Sequence, residues 1–359
     1  MKKALSLEPL NLPSQVTTAP RNWKAETRID LKMKLPPITP TITIGGSWIC
    51  TEGGITIVSG EKKAGKSITL INVLATAIMP IEDTERTLTI KAETTKKRVV
   101  YVDTEQSKQR TQMFINRVLR KCGIDKEPEN LEFYNIRHYS LKERMQFLKE
   151  FLFSEPTDLG LVILDGVADF VDSINNEEQS KELVDTIFSN LPDHSSLVTV
   201  IHEGKDGRGA MGHLGQLLEK KCSGMIAISK NRQKQIHTIR CRMVRDGADF
   251  EEIHFRWCDL NKDFVLLSAA DQKAIAETTE ADRLNQLTDL AKKCFVTNAS
   301  GQTKSQVYEK IDNHDTTLNR DVKPDSLKRA IRNKFKDFEE FELIKKNKEG
   351  LYTLNINEE

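Results

Sequence analysis

Ile55-Thr-Ile-Val-Ser59-Gly60-Glu-Lys-Lys-Ala-Gly65-Lys66-Ser67 is the stretch on which the fold turns. Residues 55–59 read as a short buried strand, and 60–67 match G-x-x-x-x-G-K-[ST]. Residues 67–79 follow with helical spacing and stop at Pro80. Glycines let backbone N–H groups curl around a phosphate, and a helix N-terminus adds positive potential. In such a loop Lys66 reaches the β- and γ-phosphates and the Ser67 hydroxyl ligates Mg²⁺. At ordinary residue usage a chance match in a chain of this length is on the order of 1%, so the strand–loop–helix is taken as an ATP and Mg²⁺ site. Its candidate contacts are Gly60, Lys63, Ala64, Gly65, Lys66, Ser67 and Ile68.

Further apolar runs at 99–103, 131–136, 161–165 and 197–201 read as strands. Helical patterns at 107–122, 141–153 and 176–191 separate most of them. Strands that are apolar throughout and alternate with helices imply βαβ units and a mainly parallel sheet covered on both faces. After Gly224 the helices stop, and 225–229, 236–242, 253–256 and 264–268 read as an antiparallel extension. The expected fold is therefore α/β over 41–268. Residues 81–97, mostly polar and charged, are expected to form a protruding loop or hairpin. Residues 1–40, with scattered prolines and no sustained period, are expected to be a flexible arm.

The 359 residues suit one large or two ordinary domains. Hydrophobic residues at 38% and charged residues at 30% support a sizeable core and exclude a disordered chain. The net charge of +1 means that any contact with nucleic acid must come from a local patch. No apolar run approaches the ~18 residues of a membrane span. Glu8, Pro9 and Pro13 interrupt any signal-peptide core after Lys2 and Lys3. The six cysteines form no C-x-x-C pair, which fits a reducing cytoplasm better than a zinc site or a disulfide framework.

Three strand ends carry chemistry. Leu161-Val-Ile-Leu-Asp165 places a carboxylate at the carboxyl edge of a parallel sheet, where α/β ligands bind, and Asp165 is the expected Mg²⁺ partner beside Ser67. Asp169 and Asp172 are expected to cap or face solvent. Asp103-Thr-Glu105 ends the strand 99–103, the first after the phosphate loop. Glu105 can orient an attacking water, with Asp103 as its rival for that task. His202 ends the strand 197–201. It is either a structural histidine or a sensor of the γ-phosphate that signals to the glycine-rich loop 204–215.

Taken together, the phosphate loop, Val-Asp103-Thr-Glu105, Leu-Asp165-Gly-Val-Ala-Asp and Val-Ile-His202 resemble the RecA-type ATPase core, in its RepA-like hexameric helicase branch. They are also similar to AAA-labelled ATPases of Bacteroides-type mobilizable elements. The resemblance covers roughly residues 40–268. It implies a RecA-like sheet, Glu105 as catalytic glutamate, His202 as the polar sensor, and active sites shared between subunits of a homo-oligomeric ring. The arginine supplied by a neighbour would be Arg242 first, then Arg208, with Arg245 as the third candidate. It further implies single-stranded DNA at the 204–215 loop, through Lys205 and Arg208. The implied activity is that of a DNA motor or helicase in plasmid or mobile-element replication, and the alternative is a non-motor ATPase switch acting on DNA or a protein partner.

Beyond a helical linker at 269–287, helices at 287–295, 304–311 and 324–335 precede a strand, a turn at 348–350 and a second strand. That is the order of a winged helix over 288–359. Lys323, Lys328, Arg329, Arg332, Lys334 and Lys336, with Lys345, Lys346 and Lys348 at the wing, suit duplex DNA. Interrupting acids leave protein docking as the other reading.

Overall fold

Apolar runs that read as buried strands form one sheet. In chain order the elements are β1 (Pro40–Ile44), β2 (Ser47–Thr51), β3 (Ile55–Gly60), α1 (Lys66–Ile78), β4 (Ile90–Ala92), β5 (Arg98–Asp103), α2 (Lys108–Cys122), β6 (Leu131–Asn135) and α3 (Leu141–Gln146), which runs on as a π-helical turn, Phe147–Leu152. Then come β7 (Leu159–Asp165), α4 (Glu177–Asn190), β8 (Ser196–Ile201), α5 (Gly212–Lys221), β9 (Gly224–Asn231), β10 (Ile236–Val244), β11 (Ile253–Cys258) and β12 (Asp263–Leu266). The chain closes with α6 (Ala269–Phe295), α7 (Lys304–His314), α8 (Pro324–Glu340), β13 (Ile344–Lys346) and β14 (Tyr352–Leu354). This computed structural model describes residues 22, 24, 27–35, 37–95, 98–154, 157–203, 210–295, 301–318, 320 and 324–356. Contacts divide the chain into residues 1–38 and 39–359.

Nine strands lie in the order β12-β11-β10-β9-β3-β8-β7-β5-β6. The six from β9 to β6 are parallel, and β10, β11 and β12 extend the sheet antiparallel. This is the expected RecA-like α/β class. One face carries α1 and α2 on a core that includes Leu70, Leu74, Val118 and Tyr101. The other packs Leu148, Leu183, Ile187 and Leu218 from the remaining helices against Val100, Val162 and Leu164. Burial from both sides is why β3 and β8 are buried along their whole length. At the head of α2, Ser107 accepts the Arg110 N–H, a cap worth about 1 kcal/mol. The helix stops at Gly123, whose φ of 73° suits a residue without Cβ.

Register fixes the edge that matters. Ser59 pairs with Ile201 and Asp103 with Asp165. The ends of β3, β5, β7 and β8 therefore lie together at the carboxyl edge.

Four expectations change. Of the stretch 81–97, residues 81–95 are described and fold back on the body: Thr87, Leu88 and Ile90 are fully buried, and β4 joins β1 and β2 in a three-stranded antiparallel sheet over the α1 face. The Ala92 N–H donates to Thr76 Oγ1 of α1 at 3.0 Å, so the insertion is stitched to the phosphate-loop helix. The second unit starts at Thr39 and opens with the β1–β2 hairpin, which the sequence reading did not expect. The linker 269–287 and the helix 287–295 are one continuous helix, α6. In the 204–215 loop, 204–209 lie outside the described residues, and Gly212–Gly215 form the first turn of α5.

In the C-terminal part, α6, α7 and α8 enclose Leu290, Val307, Ile311, Ile331, Phe335 and Phe338, closed by Tyr352 of the terminal hairpin. Gln302 bridges Tyr352, so a third extended segment lines the hairpin. Among the described residues, no helix is long and apolar enough to cross a membrane.

Candidate nucleotide site

The phosphate loop is built by close approach. A Cβ on Gly60 would lie 2.2 Å from the Ile228 carbonyl oxygen of β9, and Gly60 has φ 147°. Gly65 has φ 111°, and a Cβ there would lie 2.8 Å from His237 Nδ1. Lys63 adopts φ 64°, Ala64 is buried, and Ile68 anchors the first turn of α1 in the core. No side chain caps α1, and no acidic residue stands in its first turn. An uncapped helix N-terminus ending a glycine loop fits a phosphate.

Lys66 Nζ donates to the Gly60 and Glu61 carbonyls at 2.7 and 2.8 Å. Burial pushes its ammonium pKa down, against the charges of Asp165, Glu105, Glu203 and Glu61. His202 Nδ1 lies 3.5 Å from Lys66 Nζ, and burial followed by that cation pushes the imidazole down.

Ser67 and Asp165 line one cavity of about 430 Å³ together with Asp103, Gln106, Arg110 and Arg117. Burial pushes the Asp165 carboxyl up to about 6, although the Tyr101 hydroxyl, 2.6 Å from Oδ2, pulls the other way. A hydroxyl and a carboxylate on one cavity form a hard-oxygen set that fits Mg²⁺ completed by phosphate oxygens.

The two acids after β5 differ in what they already hold. Asp103 is buried; its Oδ1 accepts the Glu105 and Gln106 N–H groups at 3.0 and 2.8 Å, and its Oδ2 accepts the Thr111 hydroxyl at 2.6 Å. Glu105 is exposed at the edge. It lies over Gly166, where a Cβ would be 3.2 Å from Glu105 Cγ and 2.1 Å from Thr104 Oγ1. Thr104 in turn donates to Asp169 Oδ2 at 2.7 Å, so Asp169 ties the ends of β5 and β7 together instead of facing solvent.

Arg242 Nη2 donates to Glu203 Oε1 at 3.0 Å, and Ser59 Oγ donates to the same oxygen at 3.2 Å. Arg245 lies at the opposite, amino edge, where its N–H donates to Ser223 and Val244 pairs with Gly224. Arg208 and Lys205 lie outside the described residues. Sequence reasoning missed Tyr101, Gly166, Glu203 and His237. Only for Gly166 was there a signal, the glycine directly after the strand-end aspartate.

A phosphate loop feeding a helix, with strand-end acids beside it on a mainly parallel sheet, defines a P-loop nucleotide-binding core. The family described as AAA domain matches residues 25–208, just over half of the chain, and the chain belongs to that family. Similar solved structures include a KaiC-like protein from the hyperthermophilic archaeon Pyrococcus horikoshii OT3. It is 10% identical, with TM-score 0.42, over 61% of this chain and 91% of that one. Another is the ATPase domain of G40P, 10% identical, with TM-score 0.41, over 60% of this chain and 86% of that one. No curated protein matches.

Proposed function

We propose that the protein is a Mg²⁺-dependent, DNA-associated ATPase that assembles as a ring and works as a RepA-like helicase or DNA motor in plasmid or mobile-element replication or mobilization. One observation carries the ATPase part of this reading: Lys66, Ser67, Asp165, Glu105 and His202 come from four separate strand ends and meet at one edge. Lys66 and the N-terminal N–H groups of α1 would hold the phosphates. Ser67 and Asp165 would hold the metal, whose chemistry is to neutralise charge developing on the phosphate oxygens. Glu105 orients the attacking water, and His202, beside Lys66, senses the phosphate.

The DNA part is supported by a patch of exposed basic residues on α8, which share their face with Asp325, Glu339 and Glu340. On α8, Ile331, Phe335 and Phe338 face the core, whereas Lys328, Arg329, Arg332 and Lys336 are all exposed. With the hairpin at 344–354, α8 would act as the recognition helix and the hairpin as the wing of a winged helix on duplex DNA. The same patch also suits a non-motor switch that assembles on duplex DNA, and stimulation of turnover by single-stranded DNA favours the motor. The test of the shared core is Lys66→Ala, expected to abolish hydrolysis and weaken ATP binding, measured by phosphate release and nucleotide titration. Wild-type turnover in that variant overturns the assignment.

A further inference from the structure

The phosphate loop has a support that its own motif does not contain. His237, on β10, is buried, and its Nδ1 lies 2.6 Å from the carbonyl oxygen of Ala64, 173 residues away in sequence. A carbonyl only accepts, so Nδ1 carries the hydrogen and donates it. The ring cannot turn freely. It stacks on Phe255 at 5.1 Å and 23°, and meets Phe264 edge-on at 5.2 Å and 90°. Phe255 is itself fully buried, in the core that also holds α1. On its loop-facing side the ring fills the space a side chain at Gly65 would need, since a Cβ there would sit 2.8 Å from Nδ1.

We propose that His237 is a positioning residue of the nucleotide site, which fixes the Ala64–Gly65 peptide so that the first N–H groups of α1 face the phosphates. The inference rests on the nucleotide reading of that loop. Ala64 and Gly65 directly precede the helix whose uncapped N-terminus would meet the anion. A peptide pinned by its carbonyl oxygen presents its N–H groups without reorganising on binding, which is how preorganisation raises affinity. The pin comes from the antiparallel extension, so β10 and β11 belong to the nucleotide site although neither is one of the parallel strands that carry its motifs.

Three variants of the full chain test this with a fluorescent ADP analogue and with ATP turnover. His237→Phe keeps the ring stack and loses the donor. It is expected to raise the ADP Kd and the ATP KM by about tenfold, the scale of one buried hydrogen bond, while kcat stays near wild type and the melting temperature without nucleotide drops by only a few degrees, because the buried Ala64 carbonyl loses its donor. His237→Asn retains a donor at the same branch of the side chain and is expected to recover most of the affinity. Lys66→Ala reports the loop's dependence on its own cation. Nucleotide binding by the wild-type chain with unchanged affinity in His237→Phe overturns the inference alone. Equal losses in His237→Phe and His237→Asn that track a lower melting temperature also overturn it, because they mark a purely structural role. No nucleotide binding by the wild-type chain sinks the nucleotide reading and the inference with it. Should His237→Phe not fold, nitrogen-15 histidine spectra of the wild-type chain decide, with the signal assigned by its loss in His237→Asn. A neutral ring protonated at Nδ1 and shifted by ADP supports the inference, and an Nε2–H tautomer overturns it.

Discussion

At the scale of single residues, the decisive contrast is between Asp103 and Glu105. From the sequence the two are rivals, because both stand at the end of one strand and before one helix. Burial and hydrogen bonds separate their tasks. Both Asp103 oxygens are occupied by the turn into α2, with Thr111 closing the bond at 2.6 Å, whereas Glu105 is exposed beside Asp165 and Lys66. Glu105→Gln is therefore expected to fold and bind ATP normally and to hydrolyse it at least ~10²-fold more slowly, the usual loss when acid–base help is removed. Asp103→Asn puts an amide where an acceptor oxygen meets Thr111, and is expected to cost about 1–3 kcal/mol of stability, with turnover falling only as the folded fraction falls. Thermal melts and single-turnover hydrolysis on both variants check this. A slow, well-folded Asp103→Asn alongside an active Glu105→Gln would reverse the assignment.

At the scale of elements, what was legible in the sequence follows from where each burial comes from. Strands β3, β5, β7 and β8 are covered on both faces, so their apolar runs are unbroken and visible. Strand β4 is three residues, Ile90-Lys-Ala, and its burial comes from β1 and from Thr76 of α1, partners that no local period reveals. The site divides in the same way. Lys66, Ser67, Asp165 and Glu105 lie at strand ends next to their motifs, but Tyr101 is identified only by its contact with Asp165 and His237 only by its contact with Ala64, across 64 and 173 residues. The π-helical turn was hidden because six residues, Phe147–Leu152, are too few to show the wider period of a π turn. If the insertion is core, Ile90→Ala costs about 2–5 kcal/mol in denaturant unfolding; a change below about 0.5 kcal/mol, as at an ordinary surface position, would return it to a protruding loop. The antiparallel extension makes a second prediction. Burial holds the rings of His237 and His254 below their ordinary value of 6.5. As pH falls, the unfolded chain takes up these protons first, so stability present above about 6.5 is lost as pH drops toward the lower folded values. Melting temperature should fall across that window, and His254→Asn should flatten the fall; an equal slope in the variant would show that His254 is not responsible.

At the scale of the whole molecule, the question is whether the edge at Lys66 is complete within one chain. Arg242 is held in its own chain by Glu203, whose carboxylate also takes the Ser59 hydroxyl. The Arg242 and Glu203 side chains are 34% and 11% exposed, so the guanidinium leaves Glu203 only where a neighbour's γ-phosphate replaces that charge. An arginine acting in trans is worth ~10³-fold or more in turnover. Arg242→Ala is then expected to be inactive alone and still to bind ATP through its own Lys66. Mixing it with Lys66→Ala is expected to restore part of the activity, because some interfaces then join one intact Lys66 to one intact Arg242. A cis role, with Arg242 acting through Glu203 on its own phosphate loop, predicts the same loss and no rescue, since every chain in the mixture lacks one of the two. A surface arginine shows neither. Turnover measured against mixing ratio and total protein concentration separates the three. Loss without rescue at concentrations where the wild-type chain is fully assembled would place the whole site in one subunit and remove the strongest reason for a ring.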